Sequence, residues 1–198
     1  FSNYGVILQG QGKLKDAELA YSKAIEIKPN FAVAHFNLGT TLINLGKLKD
    51  AELSTRKAIS LNPDYAEAHS NLGNILRDLG KSQEAELSYR KAIEIKSDFA
   101  EAHYNLGNIL GDLGKLKEAE LSYRKAIDIK PDYADAHYNL GNVLKDLGKF
   151  QEAEFSYRKA IEIKPYYAEA HSNLGNVLKD LDKLKEAELS TRKAIGIK

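Results

Sequence analysis

The chain has 198 residues, with 29 Lys plus Arg against 28 Asp plus Glu, a formal net charge of +1, and no Cys, Met or Trp. Without cysteine there is no disulfide framework, no cysteine zinc site and no thiol nucleophile. Near-balanced charge argues against a dedicated nucleic-acid binder, which needs a basic excess to neutralise phosphate. A charged fraction of 29% with 43% apolar residues suits a soluble folded chain. No run approaches the ~18 uninterrupted apolar residues of a membrane span. No signal peptide is read at the start, and a cytoplasmic location is expected. The chain opens on Phe1 rather than Met. That is expected of a piece of a longer protein or a processed product, and any catalytic domain is then expected outside it.

Internal repetition organises everything else. The string Ala-His-x-Asn-Leu-Gly stands at Ala34–Gly39, Ala68–Gly73, Ala102–Gly107, Ala136–Gly141 and Ala170–Gly175, each 34 residues from the next. In chain order the repeats are 1–31 (partial), 32–65, 66–99, 100–133, 134–167 and 168–198 (partial). They leave no room for a linker or a second domain, so a single array is expected. The repeats 100–133 and 134–167 differ at only 8 of 34 positions, which points to recent duplication or consensus design.

Each repeat reads as two helices. In 100–133, Asp98 and Glu101 have the spacing of a capping box, and Leu106, Leu110 and Leu113 recur at helical spacing. Gly114 supplies the turn. The second helix starts near Leu116 and carries Ala119, Tyr123, Ala126 and Ile127. Pro131 stops it, because proline lacks the donor a helix needs. Asp132 is expected to cap the next repeat. So short a connection makes the two helices pack antiparallel. A glycine at one helical position of every repeat (Gly5, Gly39, Gly73, Gly107, Gly141, Gly175) costs about 0.5–1 kcal/mol relative to alanine, and close helix contact is the simplest reason to accept it. One pair cannot bury its apolar face alone, so neighbours stack into a solenoid.

A 34-residue period with Leu-Gly in the first helix, Ala and Tyr in the second, a further Ala and then Pro resembles the tetratricopeptide repeat. The resemblance covers all 198 residues. It implies an all-α, right-handed superhelical solenoid of antiparallel helix pairs, with a concave surface lined mainly by first helices. It also implies a role in binding proteins or peptides, with no chemistry of its own and no cofactor. The departures are specific. His35, His69, His103, His137 and His171 stand where the family often has an aromatic residue. Ser97 replaces the expected Pro and is expected to loosen that helix stop. Thr55 and Thr191 replace the second-helix Tyr, and Asp182 replaces the turn Gly. No polar capping helix follows Lys198, so an open apolar end is expected, with possible truncation or end-to-end self-association through uncapped termini.

The five histidines invite a metal reading. Yet helices pack about 8–10 Å apart, far beyond the ~2 Å of zinc ligation, so packing is their expected role and no metal site is assigned. Glu67, Glu101, Asp135 and Glu169 have a sufficient reason at the capping-box position. Glu86–Arg90, Glu120–Arg124 and Glu154–Arg158 are i, i+4 pairs that mark a solvated face. Lys13, Lys47, Lys81, Lys115, Lys149 and Lys183 follow the inter-helix turns as a solvated edge, with Asp78, Asp112, Asp146 and Asp180 expected to neutralise it in part. Catalysis needs one asymmetric constellation, and nearly every polar residue here recurs in every repeat. No catalytic residue is assigned and no enzyme is expected. Neither a nucleic-acid nor a membrane partner is expected.

Asparagine is the informative residue. Asn3, Asn37, Asn71, Asn105, Asn139 and Asn173 occupy one position, and Asn74, Asn108, Asn142 and Asn176 sit three residues later on the same helical face. Asparagine is a poor helix former, because its side chain competes for backbone hydrogen bonds. Two readings stand. The amides bond to neighbouring helices and fix the repeat geometry, or they form a polar ladder that pairs with a ligand's backbone whatever its sequence. The first row resembles the groove asparagines in the tetratricopeptide superhelix of the protein O-linked N-acetylglucosamine transferases, where such a row holds substrate polypeptide. The co-chaperone variety of the family clamps a terminal carboxylate with Lys and Arg. The corresponding positions here carry Ser70, Tyr104, Tyr138, Glu67 and Glu101, so chaperone-tail binding is not expected. Positions that break the repeat are candidates for specificity: Phe36, Ile43 and Asn44, then Tyr104 and Tyr138 in place of Ser70 and Ser172, and Gly111 in place of Arg77 or Lys145.

The reading that follows is a protein–protein interaction module that binds an extended peptide or protein segment in a concave groove. Asn37, Asn71, Asn105, Asn139, Asn173, Asn74, Asn108, Asn142 and Asn176 hold its backbone, and Tyr104 and Tyr138 give apolar contact. Two alternatives remain open: the substrate-recognition region of a glycosyltransferase, and a structural array that stacks on itself.

Overall fold

A computed structural model describes residues 1–197, with side chains to 196; Lys198, which closes the sixth repeat, lies outside the described residues. The described residues form twelve α-helices in six pairs. The chain divides into two compact units, Phe1–Ser97 and Asp98–Lys198, here the first and second halves. In the first half α1 (Ser2–Gly10) pairs with α2 (Leu14–Ile27), α3 (Ala32–Asn44) with α4 (Leu48–Leu61), and α5 (Ala66–Asp78) with α6 (Ser82–Ile95). In the second, α7 (Ala100–Asp112) pairs with α8 (Leu116–Ile129), α9 (Ala134–Asp146) with α10 (Phe150–Ile163), and α11 (Ala168–Asp180) with α12 (Leu184–Ile197). First helices therefore start at Ala32, Ala66, Ala100, Ala134 and Ala168, where the repeats read from the sequence begin.

The glycine of each first helix sits against the second helix of its own pair. A Cβ on Gly107 would stand 2.6 Å from Cε1 of Tyr123, and one on Gly141 2.7 Å from Cε1 of Tyr157. Both tyrosines are buried, as are Ala119, Ala126, Ala153 and Ala160 on the same helices. Small residues on one side and a flat ring on the other bring the two backbones close. Packing also crosses between repeats: Leu42 and Ala51 form one buried cluster with Ile75 of the following repeat.

Three local expectations are corrected. Among the caps described, those of α1 to α11, no side-chain capping box forms; the cap position of α7 is Phe99, not Asp98, and it makes no side-chain cap hydrogen bond. The first turn is closed by the backbone instead, with the amides of Ala102 and His103 both donating to the Phe99 carbonyl. Ser97 does not loosen a stop. α6 ends at Ile95, in register with α4 at Leu61 and α8 at Ile129, because the cap residue Lys96 turns extended (φ −133°, ψ 90°) before residue 97 is reached. The third concerns charge: Lys149 and Lys183 pair with Glu120 and Glu154 of the preceding second helices and not with the aspartates upstream.

The turn between paired helices needs a left-handed residue. Gly114 takes φ +72°, and Asp182 takes φ +57° at the matching place in the last pair. Aspartate tolerates this region better than most side chains, though at a cost glycine does not have.

Candidate peptide-binding face

The two asparagine rows meet between neighbouring first helices. In the second half, Nδ2 of Asn139 on α9 donates to Oδ1 of Asn108 on α7 at 2.9 Å and to the Tyr104 hydroxyl at 3.2 Å. Asn173 on α11 repeats this with Asn142 at 2.8 Å and Tyr138 at 3.2 Å. The same Oδ1 atoms of Asn108 and Asn142 accept the hydroxyls of Tyr123 and Tyr157, each at 2.8 Å. Thus the second-helix tyrosine that packs on glycine also anchors the amide pair. Burial raises the pKa of Tyr123 and Tyr157, followed by the nearby Tyr104 and Tyr138 respectively. These phenols stay protonated as donors.

The first half is less regular. Asn74 Oδ1 accepts the Tyr89 hydroxyl at 2.8 Å, and burial pushes that phenol up to about 12. One repeat earlier, Thr40 stands where the second row has asparagine, and Asn71 Nδ2 donates to its hydroxyl at 2.9 Å. Val6 occupies the same position in the first repeat, and the Asn37 side chain has no hydrogen-bond partner among the described residues. Tyr21 turns to Oε1 of Gln9 at 3.1 Å. Asn37, Asn71, Asn74, Asn105, Asn108, Asn139, Asn142 and Asn173 are all half-buried, whereas Asn176 is exposed beside Thr191.

Hydrogen-bond capacity decides what the ladder can still do. Asn139 uses both amide hydrogens and keeps a carbonyl oxygen; Asn108 uses its carbonyl twice and keeps its NH2 group. Asn173 and Asn142 divide in the same way. Turning both amides of a pair over together exchanges the roles. Either way one row presents C=O and the other N–H.

Tyr104 and Tyr138 are half-buried and pack, with tilted rings, against the residue that precedes the next first helix. Their ring centroids lie 4.8 Å from Tyr133 and 4.9 Å from Tyr167. Phe36 and Tyr65 make the same contact at 4.8 Å in the first half. Lys130 and Lys164 lie over the outer rings of Tyr133 and Tyr167. The sequence did not single out Tyr133, Tyr167 or the hydroxyls of Tyr89, Tyr123 and Tyr157. One signal was present: the repeat with Thr55 in place of Tyr also has Thr40 in place of Asn.

On the second helices the expected solvated face is partly buried. Glu120 and Glu154 are 9% exposed. Glu120 receives Arg124 of its own helix and Lys149 of the next repeat, both within 3.0 Å; Glu154 receives Arg158 and Lys183. Lys47, Lys81, Lys149 and Lys183 thus serve the preceding second helix and not the aspartates upstream; Asp78 and Asp146 pair with Arg77 and Lys145. Burial opposes ionisation of Glu120 and Glu154, but the hydrogen bonds from Lys and Arg outweigh it and hold both carboxyls below the usual range. The histidines are bonded too. Nε2–H of His35, His69, His137 and His171 donates to the carbonyl of Pro29, Pro63, Pro131 and Pro165, at 2.9–3.0 Å. This ties α3, α5, α9 and α11 each to the loop before it.

Models of the tetratricopeptide repeat match residues 20–52, 55–86 and 134–167, a further model described as a TPR repeat matches 73–114 and 107–148, and the partial repeats 1–31 and 168–198 match as well. The chain belongs to the tetratricopeptide repeat family. A search of curated proteins gave no match. Among solved structures, MamA is 28% identical with a TM-score of 0.77, over 81% of this chain and 94% of MamA. YrrB, described as a TPR protein with an unusual peptide-binding site, is 26% identical with a TM-score of 0.79, over 90% of this chain and 92% of YrrB. PilF of Pseudomonas aeruginosa, at 19% identity and a TM-score of 0.85 over 96% of this chain and 86% of PilF, shares the fold. Repeats of this family serve protein–protein interaction and are generally non-enzymatic scaffolds. No helix among the described residues is long and apolar enough to cross a membrane.

Proposed function

We propose that the first helices of each half hold an extended polypeptide segment, with the asparagine rows paired to its backbone. The observation that carries this is the division of roles within each amide pair. A peptide backbone alternates N–H and C=O groups, and a bonded pair such as Asn139 and Asn108 leaves one carbonyl and one NH2 group on the same face. Asn173 and Asn142 repeat the pattern one repeat on, and Asn105 and Asn176 extend the two rows within the second half. Asn37, Asn71 and Asn74 are their counterparts in the first half. Half-buried Tyr104 and Tyr138 add apolar contact beside the amides. The internal bonds strengthen this reading: an amide held by its neighbours loses little freedom when a ligand arrives.

Replacing Asn139 and Asn173 by alanine removes two carbonyls and unties Asn108 and Asn142. Peptide-array binding should fall across unrelated sequences, while circular dichroism keeps its helical signal. An array pattern unchanged by the double substitution would sink the proposal.

A further inference from the structure

We propose that the segment taken by the first helices of the second half is a polyproline II helix with proline at every third residue, two of its prolines lying on the ring pairs Tyr104–Tyr133 and Tyr138–Tyr167. This rests on the peptide-binding reading above and names the conformation and class of its ligand.

Spacing selects the conformation. Asn139 bonds Asn108 directly, and Asn173 bonds Asn142. Neighbouring first helices therefore stand about one helix diameter apart, on the order of 10 Å. At each such step the ladder offers the same side chains again. A β-strand covers the step with three residues, but its side chains alternate, so residues i and i+3 face opposite ways. A polyproline II helix rises about 9.3 Å in three residues and completes one turn, so i and i+3 face the same way. Of the two extended conformations, polyproline II is the one whose own repeat matches that of the ladder. It has no internal hydrogen bonds, so its carbonyls are free for the NH2 group that each amide pair retains.

The rings select proline. Tyr104 packs on Tyr133 with centroids 4.8 Å apart, and Tyr138 on Tyr167 at 4.9 Å. All four rings are half-buried, so part of each pair stays open. Each pair is tied to the ladder, because the Tyr104 and Tyr138 hydroxyls accept from Asn139 and Asn173 at 3.2 Å. An aromatic platform beside amide groups suits a proline-rich segment: the pyrrolidine packs on the rings while a neighbouring carbonyl takes an amide hydrogen. Proline brings no N–H that an apolar platform would leave unpaired, and its φ of about −65° is already close to polyproline II. Lys130 and Lys164 lie over Tyr133 and Tyr167; both are exposed, and moving one aside costs a single solvated cation–π contact.

Breaks in the repeat set the length of the core. Ser70 and Ser172 stand where the neighbouring repeats have Tyr104 and Tyr138. In the first half Phe36 and Tyr65 form one such ring pair, with Ser2 and Ser70 at the positions before and after Phe36. Two consecutive platforms occur only in the second half, and they define two prolines three residues apart.

The test uses three fluorescein-labelled peptides, titrated by anisotropy against the full chain. One is Pro-Ala-Gln written four times over, one has alanine for every proline, and one is a scramble of the first in which no two prolines stand three apart. The periodic peptide should bind about tenfold tighter than the alanine peptide, since two seated prolines arrive with their φ already set. The scramble has the same preset residues in the wrong register and should bind several-fold weaker than the periodic peptide. Tyr104→Ser combined with Tyr138→Ser installs the residue found at Ser70 and Ser172, so the helical signal by circular dichroism should persist while the preference for the periodic peptide disappears. Equal binding of the periodic and alanine peptides overturns the proline inference and leaves backbone recognition standing. Equal binding of the periodic and scrambled peptides overturns the three-residue register, and this comparison needs no variant. An undiminished preference in the folded double variant overturns the platform assignment. No binding of any of the three overturns both readings.

Discussion

Both halves use one repeat, yet their first-helix faces differ in chemistry. The second half has Asn108 with Tyr123 and Asn142 with Tyr157, each bridged to the following asparagine. The first half keeps the bond between phenol and amide at Asn74 and Tyr89. Thr40 and Thr55 replace the pair one repeat earlier, and Val6 replaces the asparagine in the first repeat. Charge follows the same division. First helices of the second half carry six carboxylates, whereas α1 and α3 carry none and α5 carries Glu67 and Asp78 beside Arg77. The packing rule survives substitution in both halves, because it needs only a small residue facing a second-helix side chain. The polar network does not survive, because it needs a hydroxyl and an amide at fixed separation. In a repeat array, shape is therefore conserved more easily than the chemistry of a face.

The strongest way to break the contrast is to give the second half the first half's residue. Tyr157→Thr removes a buried ring and leaves Asn142 Oδ1 without its phenolic donor. A loss of about 3 kcal/mol is expected by urea unfolding, at the low end for truncating a buried aromatic. Gly107→Ala tests the close approach itself. Alanine would normally gain helix stability, but its Cβ meets the Tyr123 ring at 2.6 Å, so a net loss of about 2 kcal/mol is expected from overpacking.

Acid titration separates buried from exposed glutamates. Glu154 has its folded pKa below its unfolded value. Its contribution is thus present above the unfolded pKa and lost as pH falls through the folded one. Glu154→Gln should cost about 1 kcal/mol at pH 7 and make unfolding less steep below about pH 4.5; an unaltered acid limb would mean that the pairs with Arg158 and Lys183 contribute nothing. In the first half, Thr55 Oγ1 is buried without a partner. Thr55→Val should therefore stabilise by about 1 kcal/mol, seen as a higher Tm. The smallest effect is expected at Asp182, where glycine relieves a positive φ and should add about 0.5 kcal/mol.

The sequence and the structure can be weighed residue by residue. Leu-Gly periodicity, the turn glycines and the Ala–Tyr second helix placed all six pairs, because a 34-residue period leaves few ways to bury an apolar stripe. Caps were misread: Asp98 and Glu101 have the spacing of a capping box, but spacing does not say which residue becomes the cap, and Phe99 does. The lysines after the turns were given to the aspartates three residues upstream. Their Nζ atoms in fact reach glutamates 29 residues earlier in the chain, such as Glu120 from Lys149. Proximity in sequence was a poor guide because packing sets the second helix of the preceding repeat within hydrogen-bond reach of the lysine, as Glu120 is of Lys149.

For the asparagines, sequence alone framed two readings as rivals: bonds that fix the repeat, or a ladder for a ligand. Tertiary structure makes the first true of Asn71, Asn139 and Asn173, and only packed helices show which atom of each amide is already used. Repetition determined the helices, the pairing and the family, because those follow from periodic burial along one chain. The partners of Asn108, Glu120 and Tyr104 were decided between chain segments, where distance in sequence carries no information.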